Sequence, residues 1–242
     1  MRLRKSAVLC LVFCALGAGP AQAQMQWTDK GFANINIGGQ SGSHSVETTT
    51  TFVVYDEDAL VTTTQKTGGG FLFDMNGGYK VWRNLVAAVG YTFMSDSTDG
   101  AVTASIPHTD FPGQPRIVTT TADNLKHTEN ALNFMGVWMV PVTDKVDVGI
   151  SFGPTVFFVK QELPDTLTFT EPVPTVTGLT KKEVSKTTAG INMGVDVTYL
   201  LTKKMGVGGI LRYTWGSVDL DGAKDSLTVG GFQIGIGGRY RF

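Results

Sequence analysis

Gly231-Phe232-Gln233-Ile234-Gly235-Ile236-Gly237-Gly238-Arg239-Tyr240-Arg241-Phe242 are the last residues of the chain, and their alternation decides the fold. Phe232, Ile234, Ile236, Tyr240 and Phe242 share one face at a period of two, while Gln233, Arg239 and Arg241 share the other. A strand buried in a soluble sheet has no use for two arginines on its second face. A strand held between lipid and a polar interior needs this arrangement, with one apolar and one hydrophilic face.

The amino terminus agrees. Arg2, Arg4 and Lys5 precede an uncharged apolar run from Ala7 to Gly19, followed by Pro20 and the small-x-small triplet Ala21-Gln22-Ala23. That order is a secretory signal covering 1–23, with cleavage expected after Ala23. Both cysteines, Cys10 and Cys14, fall inside it, so the mature chain is expected to hold no disulfide, thiolate nucleophile or Cys-based metal site. Cleavage also removes three basic and no acidic side chains from the 20 and 21 of the whole chain, leaving a net charge near −4. No basic footprint for nucleic acid remains. Charged residues are 17% of the chain, below the usual quarter or so of a soluble domain. With 30 glycines, abundant Thr and Val and no helical apolar run, β structure is the expectation.

Eight segments alternate: 32–41, 70–81, 85–95, 127–140, 146–161, 184–200, 205–218 and the terminal strand. Each reaches the about 9–11 residues that a tilted strand needs to cross a bilayer. Connections alternate too, with short turns at 82–84, 141–145 and 201–204 and long loops at 42–69, 96–126 and 162–183. The fourth loop, 219–226, is shorter. Lipid offers backbone groups no hydrogen-bond partner, so the sheet must close on itself. The expected fold is therefore all-β: an eight-stranded antiparallel up-and-down transmembrane β-barrel over 24–242, with extended extracellular hairpins. Short turns lie on the periplasmic side of such barrels, and an even strand number puts both termini there. Tyr79, Trp82, Phe93, Trp138, Tyr199, Trp215, Tyr240 and Phe242 lie near strand ends, where two aromatic girdles belong.

In its eight segments, its signal and its terminal Tyr240-Arg241-Phe242, the chain resembles the OmpA-like group of eight-stranded outer-membrane barrels, with its OmpX- and OmpW-type relatives. The resemblance covers essentially all of 24–242. It implies a place in the outer membrane among lipid and lipopolysaccharide, and it implies that Tyr240 and Phe242 form the signal read by the outer-membrane assembly machinery. No periplasmic domain follows Phe242, so peptidoglycan binding is not among the expectations.

Asp74, Lys80, Glu129, Asp147, Lys186, Asp196, Arg212, Arg239 and Arg241 fall on inward positions. Counted from the short turns, Asp74 and Arg212 belong near mid-barrel, and Lys80, Asp147, Asp196, Arg239 and Arg241 nearer the periplasmic end. An eight-stranded barrel is wide enough only for its own side chains or one small ligand. An unpaired buried charge is expensive, so a salt-bridged lumen is expected rather than an OmpW-like channel for small solutes. Catalysis has little to stand on. His127 and Glu129 share the inward face, and some barrels that edit lipid A use His with Ser and an acidic residue, but no nucleophile motif accompanies this pair. His44 and His108 sit in loops, and no two histidines have a ligand spacing, so no metal, cofactor or enzymatic activity is expected. Residues 46–54 and 59–64 flank the acidic turn 55–58, 101–106 and 116–121 flank 108–115, and 166–170 and 175–180 flank 171–174. These Thr-Val stretches read as β-hairpins protruding above the membrane. Two roles stand side by side for them: strand edges for a surface protein partner, or a shield over the barrel mouth. A monomer is expected.

Overall fold

The computed structural model describes residues 26–242 except 43, 68, 112, 221 and 222. The segment read as a signal, 1–23, lies outside the described residues. Ten antiparallel strands follow in chain order: β1 (Gly31–Ser41), β2 (His44–Val54), β3 (Glu57–Thr67), β4 (Gly70–Trp82), β5 (Leu85–Ile106), β6 (Arg116–Thr143), β7 (Val146–Thr170), β8 (Thr175–Leu200), β9 (Met205–Val218) and β10 (Leu227–Arg241). They form one sheet in the order β2-β3-β5-β4-β1-β10-β9-β8-β7-β6, and a further pairing of β5 with β6 closes eight of them into a ring. The eight ring strands are the eight alternating segments, and the protein is an up-and-down transmembrane β-barrel.

The seam joins β1 to β10, where Phe32 pairs with Arg241 and Ser41 with Phe232. Glycine lets the two backbones approach there: a Cβ at Gly38 or Gly237 would run into the carbonyl of Ile234 or Ile35. Outward positions carry the apolar residues. Ile35, Ile37, Met75, Val89, Ile150, Val195, Leu211, Ile234 and Ile236 are all exposed to the surroundings of the barrel. Exposed Tyr79, Trp82, Tyr199 and Tyr240 gather toward the short-turn end, and Phe71, Trp215 and Phe232 toward the other. A belt of this kind is unstable against water and stable against hydrocarbon.

The hairpins divide into two kinds. Those after β5 and β7 are direct prolongations of barrel strands, so β6 runs for 28 residues, well beyond the about 9–11 of a crossing. The first loop instead makes two strands of its own. β3 lays residues 60–65 against 100–105 of β5, giving a four-stranded β2-β3-β5-β6 sheet above the ring. On its inner face Val61, Val102, Ile106 and Leu125 pack against Leu167 of the β7–β8 hairpin. A second apolar cluster, including Val46, Phe157, Val159, Leu220 and Val229, fills the space below on the β9–β10 side. A third lies at the short-turn end, where Trp27, Phe32, Val86, Met135 and Met139 pack together. Polar side chains occupy the lumen between these apolar stoppers.

Candidate functional site

Every second residue of each strand points inward, so the lumen network is built from one face of the eight ring strands. At its centre Arg212 (β9) donates Nη1 to Asp74 Oδ2 (β4) at 2.6 Å, with side chains 5% and 0% exposed. Asp74 also accepts from Asn36 Nδ2 at 2.8 Å, Asn76 Nδ2 at 2.6 Å and Thr92 Oγ1 at 3.1 Å. Asn36 passes the network on, because its Oδ1 accepts from Arg239 Nη1 at 2.6 Å. Arg239 grips Asp196 with two nitrogens, Nη2 to Oδ2 at 2.9 Å and Nε to Oδ1 at 3.1 Å. Thr198 donates to Asp196 at 3.1 Å and accepts from Arg241 Nη2 at 2.7 Å, and Arg241 Nε faces Asp147 Oδ2 at 3.6 Å. Three arginines thus meet three aspartates one to one, in a chain from mid-barrel to the short-turn end.

That end is stoppered by a residue the alternation did not flag. Trp27 is 2% exposed, donates its backbone N–H to Asn84 Oδ1 at 3.1 Å and lies under the Arg241 guanidinium, 5.9 Å from its ring centre. Lys80 donates its ammonium to the carbonyls of Trp27 and Thr28 at 2.9 and 3.4 Å, pinning the segment beneath the barrel. Burial pushes the neighbouring Asp29 carboxyl above its ordinary range, against the opposing pull of Arg241 and Lys80. Lys186 takes an inward position on β8 but is only half-buried.

The upper lumen holds a chain of amides ending on the His127–Glu129 pair, 1% and 3% exposed. Leu125 O can only accept, so Gln65 turns Nε2 to it at 3.0 Å. Gln65 Oε1 then accepts from Gln161 Nε2 at 2.8 Å, and Gln161 Oε1 faces His127 Nδ1 at 2.7 Å. This order assigns a proton to Nδ1 and leaves Nε2 toward Glu129 Oε1 at 3.0 Å. Gly230, in the left-handed region at φ 89°, donates its N–H to both Glu129 oxygens at 3.2 and 3.1 Å, and Gln40 Nε2 donates to Oε2 at 3.0 Å. Every contact orients the pair within the lumen; neither ring nitrogen meets a Ser or Thr hydroxyl among the described residues. A cavity of about 30 Å³ lies in the lower lumen beside Arg212 and Arg241, room for ordered water.

At the far end the three long hairpins are tied at their tips. Arg116 of β6 forks onto Glu171 of the β7–β8 turn, at 2.7 Å to Oε2 and 2.6 Å to Oε1, and Tyr55 of the β2–β3 turn donates its hydroxyl to Oε1 at 3.1 Å. The Arg116 hydrogen bonds hold the Glu171 carboxyl below its ordinary range, helped by Tyr55. The partners stand 55 and 116 residues apart, so alternation along the chain gives no sign of the clamp. Outside the clamp, the outer face of the upper sheet is rich in threonine. Thr49, Thr62, Thr103 and Thr119 pair in one rung across its four strands. Among the described residues no strand covers the second edge of β2, which is engaged only low down, by the Thr48–Ala223 bridge and the Lys224 N–H to Glu47 O bond.

Solved structures of similar shape include neisserial surface protein A, 13% identical with a TM-score of 0.48 over 88% of this chain and 97% of that one. The outer membrane protease OmpT of Escherichia coli is 11% identical, with a TM-score of 0.46 over 92% of this chain and 100% of that one. The attachment invasion locus protein Ail of Yersinia pestis is 9% identical, with a TM-score of 0.39 over 87% of this chain and 99% of that one. No curated protein matches the chain in sequence. The family model of the outer membrane protein beta-barrel domain matches residues 11–242. The chain belongs to that family of bacterial outer-membrane β-barrels.

Proposed function

We propose that this protein is a non-enzymatic surface barrel, whose protruding hairpins meet a protein partner while the barrel serves as a sealed pedestal. The observation that carries this reading is the filled lumen. Its arginines and aspartates are committed to one another, Trp27 stops one end, apolar clusters stop the other, and about 30 Å³ of cavity lies among them. A solute would have to break buried ion pairs to pass. The free upper edge of β2, Thr49 to Val54, can accept an added strand through its main-chain groups. Loops held on a rigid scaffold are where binding residues usually concentrate.

The same reading places the hairpins outside the cell and both termini in the periplasm, as expected when short turns face inward. It assigns Tyr240 and Phe242 to recognition by the assembly machinery; they stack at 6.1 Å on the outer face of the seam, where such a reader could reach them. The working form is a monomer among outer-membrane lipid and lipopolysaccharide. His127 and Glu129 hold the lumen together in this account and do not edit lipid, since both side chains are buried away from the lipid face.

Two measurements test it. Purified protein in a planar bilayer should give no steady openings, and a stable conductance would favour a narrow solute passage instead. Replacing 46–64 by a short turn should leave the ring able to close, because the eight ring strands pair without β2 and β3. Adhesion of cells carrying the shortened protein to host protein surfaces should fall to background. Undiminished adhesion would refute the role of this hairpin.

A further inference from the structure

The two outer edges of the upper sheet are treated differently. Along β6 the edge is taken by side chains of the neighbouring hairpin. The Lys126 N–H donates to Glu162 Oε2 at 3.1 Å, and the carbonyls of Asp123 and Asn124 accept from Lys181 Nζ at 2.7 and 3.0 Å. Charged side chains laid across an edge keep other strands off it. Nothing comparable crosses the edge of β2 above Thr49 among the described residues. Thr48 to Val54 is moreover an uncharged run of Thr, Phe and Val.

One bond fixes which groups that edge presents. Lys224 donates its N–H to Glu47 O, so Glu47 faces away from β3, and the pairing of β2 with β3 then alternates without a bulge. Thr51 and Val53 have the same parity and turn both N–H and C=O to open space, while Thr50 and Phe52 spend theirs on β3. Phe52 lies half-buried on the inner face, at the margin of the cluster that Phe169, Val176 and Leu179 also border.

Both ends of the run are acidic. The hairpin tips, 52–60, 105–117 and 169–176, carry Asp56, Glu57, Asp58, Asp110 and Glu171, with Arg116 alone among Lys and Arg, and Glu171 already holds it. At the lower end exposed Glu47 and Asp225 stand against Lys224, whose Nζ lies 3.7 Å from Glu47 Oε1. Antiparallel pairing of β2 with β2 of a second copy would lay the acidic turn of each beside Glu47 and Asp225 of the other. Like charges brought together in this way oppose that pairing.

We infer that the edge of β2 takes an extended segment of a protein partner, uncharged along the length of Thr49 to Val54 and carrying Lys or Arg at both ends. The segment runs antiparallel, continuing the ladder that the Thr48–Ala223 bridge begins. Its main chain bonds to Thr51 and Val53, its apolar side chains cover Phe52, and its polar ones extend the threonine face. Its end charges meet Asp56 and Asp58 above and Glu47 and Asp225 below. The inference rests on the proposed surface role and adds the chemistry of the partner to it.

The test is fluorescence anisotropy of the full-length protein in detergent micelles, with a labelled peptide of three valine–threonine pairs flanked by two lysines at each end. This peptide should bind, and its counterpart with glutamates for lysines should bind at least tenfold more weakly. Salt should weaken the lysine peptide, because exposed pairs are screened. Asp56→Asn with Asp58→Asn should cost about tenfold, two exposed pairs at about threefold each. Thr51→Pro should abolish binding, since it removes an N–H that faces the open edge and leaves β3 its bonds. N-methylation of the peptide's threonines should abolish binding too, whereas N-methylation of its valines, which turn their N–H away from β2, should not. Equal binding of the two peptides, or no effect of the paired Asn substitutions, would overturn the basic partner. Binding of the threonine-methylated peptide, or by Thr51→Pro with its unboiled gel mobility intact, would overturn the edge. If Thr51→Pro loses that mobility, the methylated peptides decide. Self-association of the protein that Thr51→Pro removes would give the edge to a second copy and refute the inference. Failure of every peptide to bind would refute it as well, whereas the surface role is decided by the adhesion of cells with 46–64 shortened.

Discussion

Replacing Arg212 by Ala probes the lumen where it is most tightly committed. The change leaves the Asp74 carboxylate fully buried, and breaking a buried pair by removing one partner costs about 3–5 kcal/mol. Asp74 would keep three neutral donors, Asn36, Asn76 and Thr92, so the loss belongs near 3 kcal/mol, the lower end of that range. Asp74→Ala is the harsher change. Among the described residues the guanidinium then retains only Thr92 Oγ1 at 3.2 Å, and the loss belongs near 5 kcal/mol. A volume-matched double variant, Asp74→Leu with Arg212→Met, removes both charges together. It does not restore wild-type stability, because the Asn36 and Asn76 amides lose their acceptor at about 1 kcal/mol or more each. The double variant should therefore lose about 2–3 kcal/mol, well below the sum of the single losses. Urea titration of protein reconstituted in vesicles, read by tryptophan fluorescence and by mobility on unboiled gels, gives all three values. An unchanged midpoint for Arg212→Ala, or a double variant equal to the sum of the singles, would refute the idea that these charges hold the barrel closed.

Trp27→Ala should cost about 3–5 kcal/mol in the same titration, the range for emptying a large buried aromatic site. It should also admit a water-soluble fluorescence quencher to the short-turn end, and unchanged stability would mean that Trp27 is not a stopper. The tip clamp should respond to acid. Glu171 has its folded-state value lowered by Arg116, so its contribution is present above the ordinary value of 4.5 and is lost as pH falls through the lower folded value. Spin labels on the β2–β3 and β7–β8 turns should hold one separation at neutral pH and spread in acid, whereas Glu171→Gln should show the spread distribution at both.

Much of the barrel is legible in sequence because the lipid boundary imposes a period of two on every crossing strand, and parity alone assigns each side chain to lumen or lipid. Asp74, Arg212, Arg239 and Arg241 fall on the lumen face for that reason. Parity does not supply partners. That Arg239 takes Asp196 while Arg241 faces Asp147 depends on the relative heights of β7, β8 and β10 around the ring, and a one-sequence pattern carries no information about shear. Trp27 precedes the first alternating run, so no pattern points to it. Nor do Gln40, Gln65, Gln161 and Gln233 stand out: neutral amides look like solvated surface until they are seen bonded to one another and to Glu129 inside. The first hairpin is legible as a hairpin from its acidic turn, but its docking on β5 through 60–65 is a tertiary choice that its threonines do not announce.

The division of labour follows from valence. A narrow barrel without space for bulk water can tolerate charge only in matched sets, and here three arginines face three aspartates, one to one, with a string of amides beside them. Any inward substitution must therefore be answered by a second one across the lumen, which makes the interior poor ground for acquiring a new activity. The hairpins are under no such constraint. Their outer faces touch solvent, lengthening them costs only about 0.6 kcal/mol per doubling of a flexible loop, and the Arg116–Glu171–Tyr55 clamp holds whatever face they present. The upper sheet, with its threonine rungs and the uncovered edge of β2, is where a partner can be gained without disturbing what keeps the barrel closed.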